Sequence, residues 1–206
     1  MCLNLPGPGN LANRVPRCAV DAFIVDLKYH FLLAMPGLSG DYFADTLTYI
    51  CEHNEDGAMG IIVNRNSDMT LVELFAQLNL PNNHRWLDTL VLQGGPVATD
   101  RGLVLHSNDK TFDSSADIGQ GLCLSTALDV LDAIARDDAP VHFLVALGYA
   151  GWGPGQLDDE IAQNVWLHVP GSQNVLFHPK VDARLELATE VLGFDFRLIA
   201  PRPGHA

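Results

Sequence analysis

Short apolar runs separated by turn residues dominate the body of the chain. Residues 30–35 form an apolar run that ends at Pro36-Gly37, and residues 47–53 and 58–64 form two more. The intervening residues 54–57 read Asn-Glu-Asp-Gly, which is typical of a tight turn. Two strand-like runs on either side of such a turn predict a β-hairpin.

Four segments show helical signals instead. Thr70 and Glu73 have the spacing of a capping box, and leucines follow at helical spacing. A later segment begins with a hydroxyl cap at Ser125 or Thr126 and stops before Pro140. The predicted helices span residues 70–79, from Ser125 or Thr126 to before Pro140, 157–164, and 181–192 with a C-cap at Gly193.

Further apolar runs predict strands at residues 89–92, 102–106, 121–124, 141–147 and 165–169. The run at 141–147 is continuously apolar, which favours burial on both faces. Strands outnumber helices, so we expect an α+β domain in which helices pack on a mixed sheet. Residues 1–26, which contain several Pro and Gly, are predicted to be a flexible extension of a single domain at 27–206.

The net charge of the chain argues against one class of function, direct DNA binding. The 206-residue chain carries 25 acidic and 12 basic residues, for a net charge of −13, and its basic residues are scattered. Because proteins bind duplex DNA largely through clustered Lys and Arg, we expect no direct DNA binding.

The cysteines and the apolar runs indicate the cellular compartment of the protein and whether it holds a cofactor. The four cysteines show no C-x-x-C pair, and no apolar run is long enough for a membrane span. No secretory signal is evident, so we expect a cytoplasmic protein with free thiols, without a membrane, metal or cofactor.

Cys51 and His53 are the first candidate site. Alternating side chains on a strand would put both on one face, where a thiol beside an imidazole serves as nucleophile and base or as two metal ligands. The alternative is a core thiol and a strand-end histidine that bonds the turn. His106 is the third catalytic candidate.

Two arginines are candidate ligand-binding residues. Arg101 follows the turn at Gly94-Gly95 and has the chemistry to bind a carboxylate or phosphate with two hydrogen bonds. The alternative is a structural Arg–Asp pair. Asn64 and Arg65, which end a strand before a polar loop, are candidates of the same kind, and a turn is the simpler explanation for them.

A glycine-rich loop is predicted at residues 148–155, between a strand and a helix. This order resembles a phosphate-binding loop, but the P-loop Lys and Ser/Thr are absent and the helix begins with acidic residues. Close backbone packing is the alternative. Gly151, Trp152 and Gln156 remain ligand-binding candidates, because a tryptophan between glycines either plugs a cleft or meets a partner. We therefore predict that the Gly94-Gly95 turn, Arg101, His106 and the Trp152 loop line one cleft.

Four blocks of the sequence resemble the YqgE/AlgH family of bacterial proteins, over about residues 28–198. In order, they are FLLAMPGL, YICEHNEDGAMGIIVNR, GGPVATDRGLVLH and LVALGYAGWGPGQLDDEI. Two positions depart from the family pattern. Asn66 stands where a proline is usual, and Ala127 stands where a serine is common.

The resemblance implies a compact α/β domain with a curved, partly barrel-like, mostly antiparallel sheet. It also implies a link to the regulation of alginate production, from which the family carries the label of transcriptional regulator. It implies no particular catalytic residue or cofactor. Our interpretation is a regulatory binding protein that acts through a small ligand or a protein partner. An enzyme using Cys51, His53 or His106, and a DNA-binding regulator, are the alternatives.

Overall fold

A computed structural model of the protein describes residues 26–34, 42–81, 84–126, 128–190 and 192. The predicted extension at 1–26 lies almost wholly outside these residues, as does the predicted helix cap at Gly193. The strands in the described part are β1 (His30–Ala34), β2 (Leu47–Asn54), β3 (Gly57–Ile62), β4 (Asn66–Thr70), β5 (Leu90–Gln93), β6 (Val97–Ser107), β7 (Ser115–Gly119), β8 (Leu122–Ser125), β9 (Phe143–Trp152) and β10 (Trp166–Pro170). The helices are α1 (Leu71–Gln77), α2 (Leu128–Ala135), α3 (Gln156–Ala162), α4 (Gln173–Leu176) and α5 (Arg184–Glu190), with 3-10 turns at His84–Trp86 and Val181–Ala183.

The strands form one curled sheet in the order β10-β1-β2-β3-β9-β6-β8-β7. The pairings along this path are antiparallel, whereas β5 joins β9 in parallel and carries β4 on its other side. The long strand β9 contacts β6 along one edge, and β5 and then β3 along the other. The predicted α+β domain with a curved, mostly antiparallel sheet is therefore confirmed.

Alternation along the strands creates an interior and an exterior layer. On β6, Leu103 and Leu105 face the interior of the curled sheet, where α4 and α5 also pack. Val104, between them, faces outward against α1 and α2. A third cluster lies on the outer face of β1, β2 and β10, under α3. Both faces of the sheet are thus covered by helices.

Local signals account for α1 and the first hairpin. The Thr70 side chain accepts a hydrogen bond from the Glu73 N–H at 3.2 Å, and the Glu73 carboxylate accepts one from the Thr70 N–H at 2.8 Å. This reciprocal pair confirms the predicted capping box. The hairpin of β2 and β3 is also present, with Asn54 paired to Gly57.

Three predictions about elements are wrong. The polar loop expected after Arg65 contains the strand β4, whose first residue, Asn66, pairs with Leu92. The strand predicted from 141 begins at Phe143, and Val141 is 72% exposed. The predicted glycine-rich loop is mostly strand, because β9 continues to Trp152 between β3 and β6.

None of the helices in the described part of the chain is long and apolar enough to cross a membrane.

Candidate functional site

Cys51 and His53 do not share a face of β2, so the predicted pair is wrong. The pairing of β2 with β3 shifts between Ile50 and Glu52, which makes Cys51 the extra residue of a β-bulge. Cys51 packs in the interior, whereas His53 pairs with Ala58, whose side chain belongs to the outer cluster under α3. The bulge reverses the alternation on which the prediction depended.

The surroundings of Cys51 and His53 indicate structural roles for both side chains. Burial raises the pKa of the Cys51 thiol to about 12, so almost no thiolate exists at neutral pH. The His53 Nδ1 accepts a hydrogen bond from the Leu27 N–H at 3.2 Å, and its Nε2 lies 3.5 Å from the Asp158 carboxylate. His53 therefore connects β2 to the segment before β1 and to the start of α3.

His106 is fully buried in a small polar network. Its Nδ1 lies 2.9 Å from the Ser107 carbonyl, which only accepts, so Nδ1 carries the proton and Nε2 is left as an acceptor. The Ser125 hydroxyl lies 2.9 Å from Nε2, and the Ser115 hydroxyl lies 2.8 Å from that of Ser125. An imidazole–hydroxyl pair is thus present, but it lines neither of the two cavities described below.

Asn64 and Arg65 clamp the segment that leads into β2. The Asn64 side chain accepts a hydrogen bond from the Leu47 N–H at 2.7 Å and donates one to the Asp45 carbonyl at 2.8 Å. The Arg65 guanidinium donates to the carbonyls of Tyr42 and Ala44, each at 2.6 Å. These contacts support the turn interpretation of the two residues.

The turn at Gly94 and Gly95 packs directly against β9. The Gly94 N–H donates to the Leu147 carbonyl at 2.8 Å, and a Cβ on Gly95 would overlap the Tyr149 backbone. Close approach therefore explains both glycines. Arg101, by contrast, is exposed, and its side chain forms no hydrogen bond or ion pair with a described residue.

Trp152 and Trp166 both bind the carboxylate of Glu160. The two indole N–H groups donate to Glu160 Oε2 at 2.9 and 2.7 Å. Gln156 completes the arrangement, since its side chain donates to Glu160 Oε1 at 2.8 Å and accepts from the Gly153 N–H at 3.0 Å. We call this group the Trp–Glu clamp, and it fastens α3 to the ends of β9 and β10. Gly151, the remaining candidate of the loop, is an exposed residue of β9.

The predicted common cleft is not formed. His106 lies opposite Phe143, the first residue of β9, and Trp152 is its last. At about 3.3 Å per residue, the ten-residue strand separates these ends by about 30 Å. Both side chains are also buried, and Trp152 packs in the outer cluster under α3. The ligand-binding roles assigned to these residues stay predictions.

A cavity of about 450 Å³ lies elsewhere, where the parallel strands β5 and β9 begin. The 3-10 turn at His84–Trp86 flanks one side, and the segment leading into α5 flanks the other. Its walls are largely apolar, partly aliphatic and partly aromatic, with a few polar groups. The aromatic lining residues are Trp86, His142, Phe143 and Phe177, and the polar ones are Asn66, Asp88, Thr89 and Arg184.

Arg184 is the unusual member of this lining. It is only 6% exposed, and it forms no ion pair with a carboxylate of the described residues. Its Nε donates to the His178 carbonyl at 3.0 Å and its Nη1 to the Val63 carbonyl at 2.6 Å. Nη2 makes no hydrogen bond to a described residue. Burial lowers the pKa of the guanidinium to about 10, because the positive charge is poorly solvated.

The sequence-based candidates do not include Arg184. One local signal is available: Arg184 stands four residues before the buried Ala188, on the apolar stripe of α5. Burying a charge costs free energy unless the charge is paired, so an arginine on a buried stripe indicates a counterion or a bound ligand. The cavity itself leaves no local signal, because its walls come from segments far apart in the chain.

The comparisons with known proteins agree with this fold. A family model described as AlgH-like matches residues 31–197. The chain belongs to the AlgH-like family. The UPF0301 protein of Nitrosospira multiformis is 43% identical over 183 residues, which cover 88% of this chain and 98% of the relative. The UPF0301 protein of Pseudomonas syringae pv. syringae is 46% identical over 182 residues, 87% of this chain and 96% of the relative. The resemblance found in the sequence is thereby confirmed.

Two solved structures share the AlgH-like fold. The solution structure of the AlgH protein from Pseudomonas aeruginosa has a TM-score of 0.73 and 44% identity, covering 87% of this chain and 96% of that one. A crystal structure of a Corynebacterium diphtheriae protein has a TM-score of 0.65 at 18% identity, covering 84% of this chain and 91% of that one. The second likeness concerns the fold alone.

The described residues contain no group of three or more His, Cys, Asp or Glu side chains placed to hold a metal ion.

Proposed function

We propose that this AlgH-like protein is a regulatory binding protein that holds a small organic anion in the cavity at Arg184. The observation that carries the proposal is the guanidinium of Arg184, which is buried at the cavity wall without a carboxylate partner among the described residues. We propose the cytoplasm as its compartment, and the two buried free thiols of Cys51 and Cys123 are consistent with a reducing environment.

A buried cation without a counterion is costly, and an anion entering the cavity would offset that cost. Two carbonyls already orient the Arg184 guanidinium through Nε and Nη1. The remaining nitrogen, Nη2, is free to donate to a carboxylate or phosphate oxygen. Hydrogen bonds with an ionised partner are the strong ones, and their strength increases where water is excluded.

The rest of the cavity lining favours an anion that carries an aromatic group. Trp86 packs edge-to-face on Phe143 with ring centroids 5.0 Å apart, and His142 stacks on Phe177 at 5.3 Å. Two pairs of aromatic rings provide apolar surface for a flat ligand, and ligand cavities commonly combine such walls with a few polar groups. An aromatic carboxylate therefore fits better than a bare inorganic anion.

Two other functions are less well supported. Catalysis by Cys51 and His53 would need the thiol and the imidazole together, but the bulge directs them to opposite layers. Direct DNA binding would need a basic surface, and the net charge of −13 opposes it.

Binding of benzoate, measured by calorimetry or by NMR titration, tests the proposal. We expect saturable binding of benzoate with a Kd of about 1 mM or tighter, equivalent to at least ~4 kcal/mol, and no binding of neutral benzyl alcohol. Arg184→Met should weaken benzoate binding by about 10-fold or more, because a charged hydrogen bond is lost. Arg136→Met, the same change at an exposed arginine outside the cavity lining, is the matched control.

Arg184→Lys keeps a cation and should bind benzoate with intermediate affinity, which covers the case that Arg184→Met fails to fold. Equal binding of benzyl alcohol and benzoate, or unchanged affinity in the Arg184 variants, would contradict the proposal. Mass spectrometry of small molecules released from the native protein, compared with Arg184→Met, would identify the natural ligand.

A further inference from the structure

A second cavity, of about 400 Å³, lies at another end of the sheet interior. It is enclosed by the segment before β1, the turn between β7 and β8, and the segment from the end of β10 into α4. In contrast to the first cavity, most of its lining side chains are polar. These polar residues are Lys28, Tyr29, His30, Tyr49, Gln120, Ser172 and Gln173.

The hydroxyl of Tyr49 faces this cavity and has no hydrogen-bond partner among the described residues. Tyr49 is only 3% exposed, and its ring packs edge-on against Phe31 with centroids 5.4 Å apart. No described residue hydrogen-bonds to the hydroxyl, and its oxygen is not fully enclosed by protein. A buried phenol usually satisfies its hydroxyl. A molecule bound in the cavity would supply the partner that this hydroxyl needs.

Lys28 supplies the positive charge at the same cavity. Its ammonium lies 5.1 Å from the centroid of the Tyr29 ring, and it forms no ion pair with a described carboxylate. The cavity lining contains no acidic residue. The ammonium is therefore available to an anionic oxygen, and Lys in particular suits phosphate as a compact point charge.

We infer that this cavity binds a small hydroxylated phosphate ester, with Lys28 and the Tyr49 hydroxyl on the phosphate. Ser172 and Gln173 also line the cavity; the Gln173 Nε2 already donates to the Gln120 carbonyl at 2.7 Å, which leaves its amide oxygen and the Ser172 hydroxyl for hydroxyl groups of the ligand. This site does not depend on the organic-anion site at Arg184, with which it shares no lining residue.

Glycerol 3-phosphate is the probe, titrated into the isotope-labelled full chain and followed by amide NMR shifts. We expect saturable shifts at Ser172 and Gln173, about 10-fold weaker binding of inorganic phosphate, and no binding of glycerol. Tyr49→Phe and Lys28→Gln should each weaken binding about 10-fold, as expected for the loss of a hydrogen bond to a charged group. Lys180→Gln, an exposed lysine outside the cavity lining, is the matched control.

A stability measurement separates this role from a structural one. Because the Tyr49 hydroxyl has no hydrogen bond with a described residue to lose, Tyr49→Phe should unfold at the same temperature as the wild type or higher when no ligand is present. Lys28→Gln changes a half-buried side chain and provides a second variant. Arg184→Met should bind glycerol 3-phosphate normally.

Absence of saturable binding at about 10 mM probe would overturn the inference. Equal binding of glycerol or of inorganic phosphate, or wild-type affinity in both Tyr49→Phe and Lys28→Gln, would also overturn it.

Discussion

The Trp–Glu clamp offers the sharpest test of how the fold is held together. Glu160→Gln keeps the size of the side chain and one oxygen, but it removes the negative charge that receives the N–H groups of Trp152 and Trp166. The new side chain has one oxygen and one NH2 group. When its oxygen accepts from the indoles, its NH2 group faces the amide donor of Gln156, which then has no acceptor.

The expected cost follows from the strength of these bonds. A hydrogen bond to a charged acceptor contributes about 1.5–3 kcal/mol, whereas a neutral one contributes about 0.5–1.5 kcal/mol. Two weakened indole bonds at a partly exposed carboxylate therefore cost about 2 kcal/mol in the free energy of unfolding. For a chain of this length, 1 kcal/mol corresponds to about 2–4 °C, so the melting temperature should fall by about 4–8 °C.

Thermal and urea unfolding of Glu160→Gln, followed by circular dichroism, would measure this loss. Asp159→Asn is the matched control, because it removes the same charge from an exposed neighbour on α3. If Glu160→Gln and Asp159→Asn unfold within about 1 °C of each other, the clamp contributes nothing and the reasoning is refuted. Trp152→Ala should cost more, about 3–5 kcal/mol, because it also empties a buried site.

Two further outcomes are expected from the described contacts. Gly95→Ala should destabilise the protein by about 3 kcal/mol or more, because its Cβ would overlap the Tyr149 backbone, whereas Gly102→Ala meets no atom within 4 Å and should cost under ~1 kcal/mol in urea unfolding. Cys51 and Cys123 should resist a thiol reagent at pH 8 in the native protein and react on unfolding, since burial raises the pKa of both thiols, that of Cys51 to about 12. Rapid native labelling of Cys51, located by peptide mass spectrometry, would contradict its burial.

Much of the fold could be predicted from local patterns. The hairpin of β2 and β3 and the capped helix α1 depend on turn residues and caps that lie within a few positions of each other. The strands β4 and β7 escaped prediction because they are short, polar and partly exposed, so their apolar periodicity is weak. The extension of β9 through a glycine-rich stretch was not predicted, because its pairing partners β3 and β6 are distant in sequence.

The candidate site was harder to predict, for a related reason. Glycines and polar residues near strand ends suggest ligand binding, yet Gly95, Asn64 and Arg65 serve backbone packing and the support of a loop. The bulge at Cys51 could not be predicted from β2 alone, since a bulge is defined by the register with the neighbouring strand. Sequence motifs thus located the tight packing of this fold correctly, but they did not indicate its cavities.

The net charge and the buried arginine together bear on the kind of anion that the proposed site would select. A chain with a net charge of −13 repels a polyanion such as DNA, because the polyanion must approach over a wide area of surface. In the proposed function, a small anion would reach Arg184 inside the cavity, where low polarisability would strengthen the local attraction and salt would screen it little. The exposed Asp88 at the same cavity favours ligands that also carry a hydrogen-bond donor or a positive group. Under the proposed function, we therefore expect the acidic surface and the buried cation to act in the same direction, towards a small organic anion and away from nucleic acid.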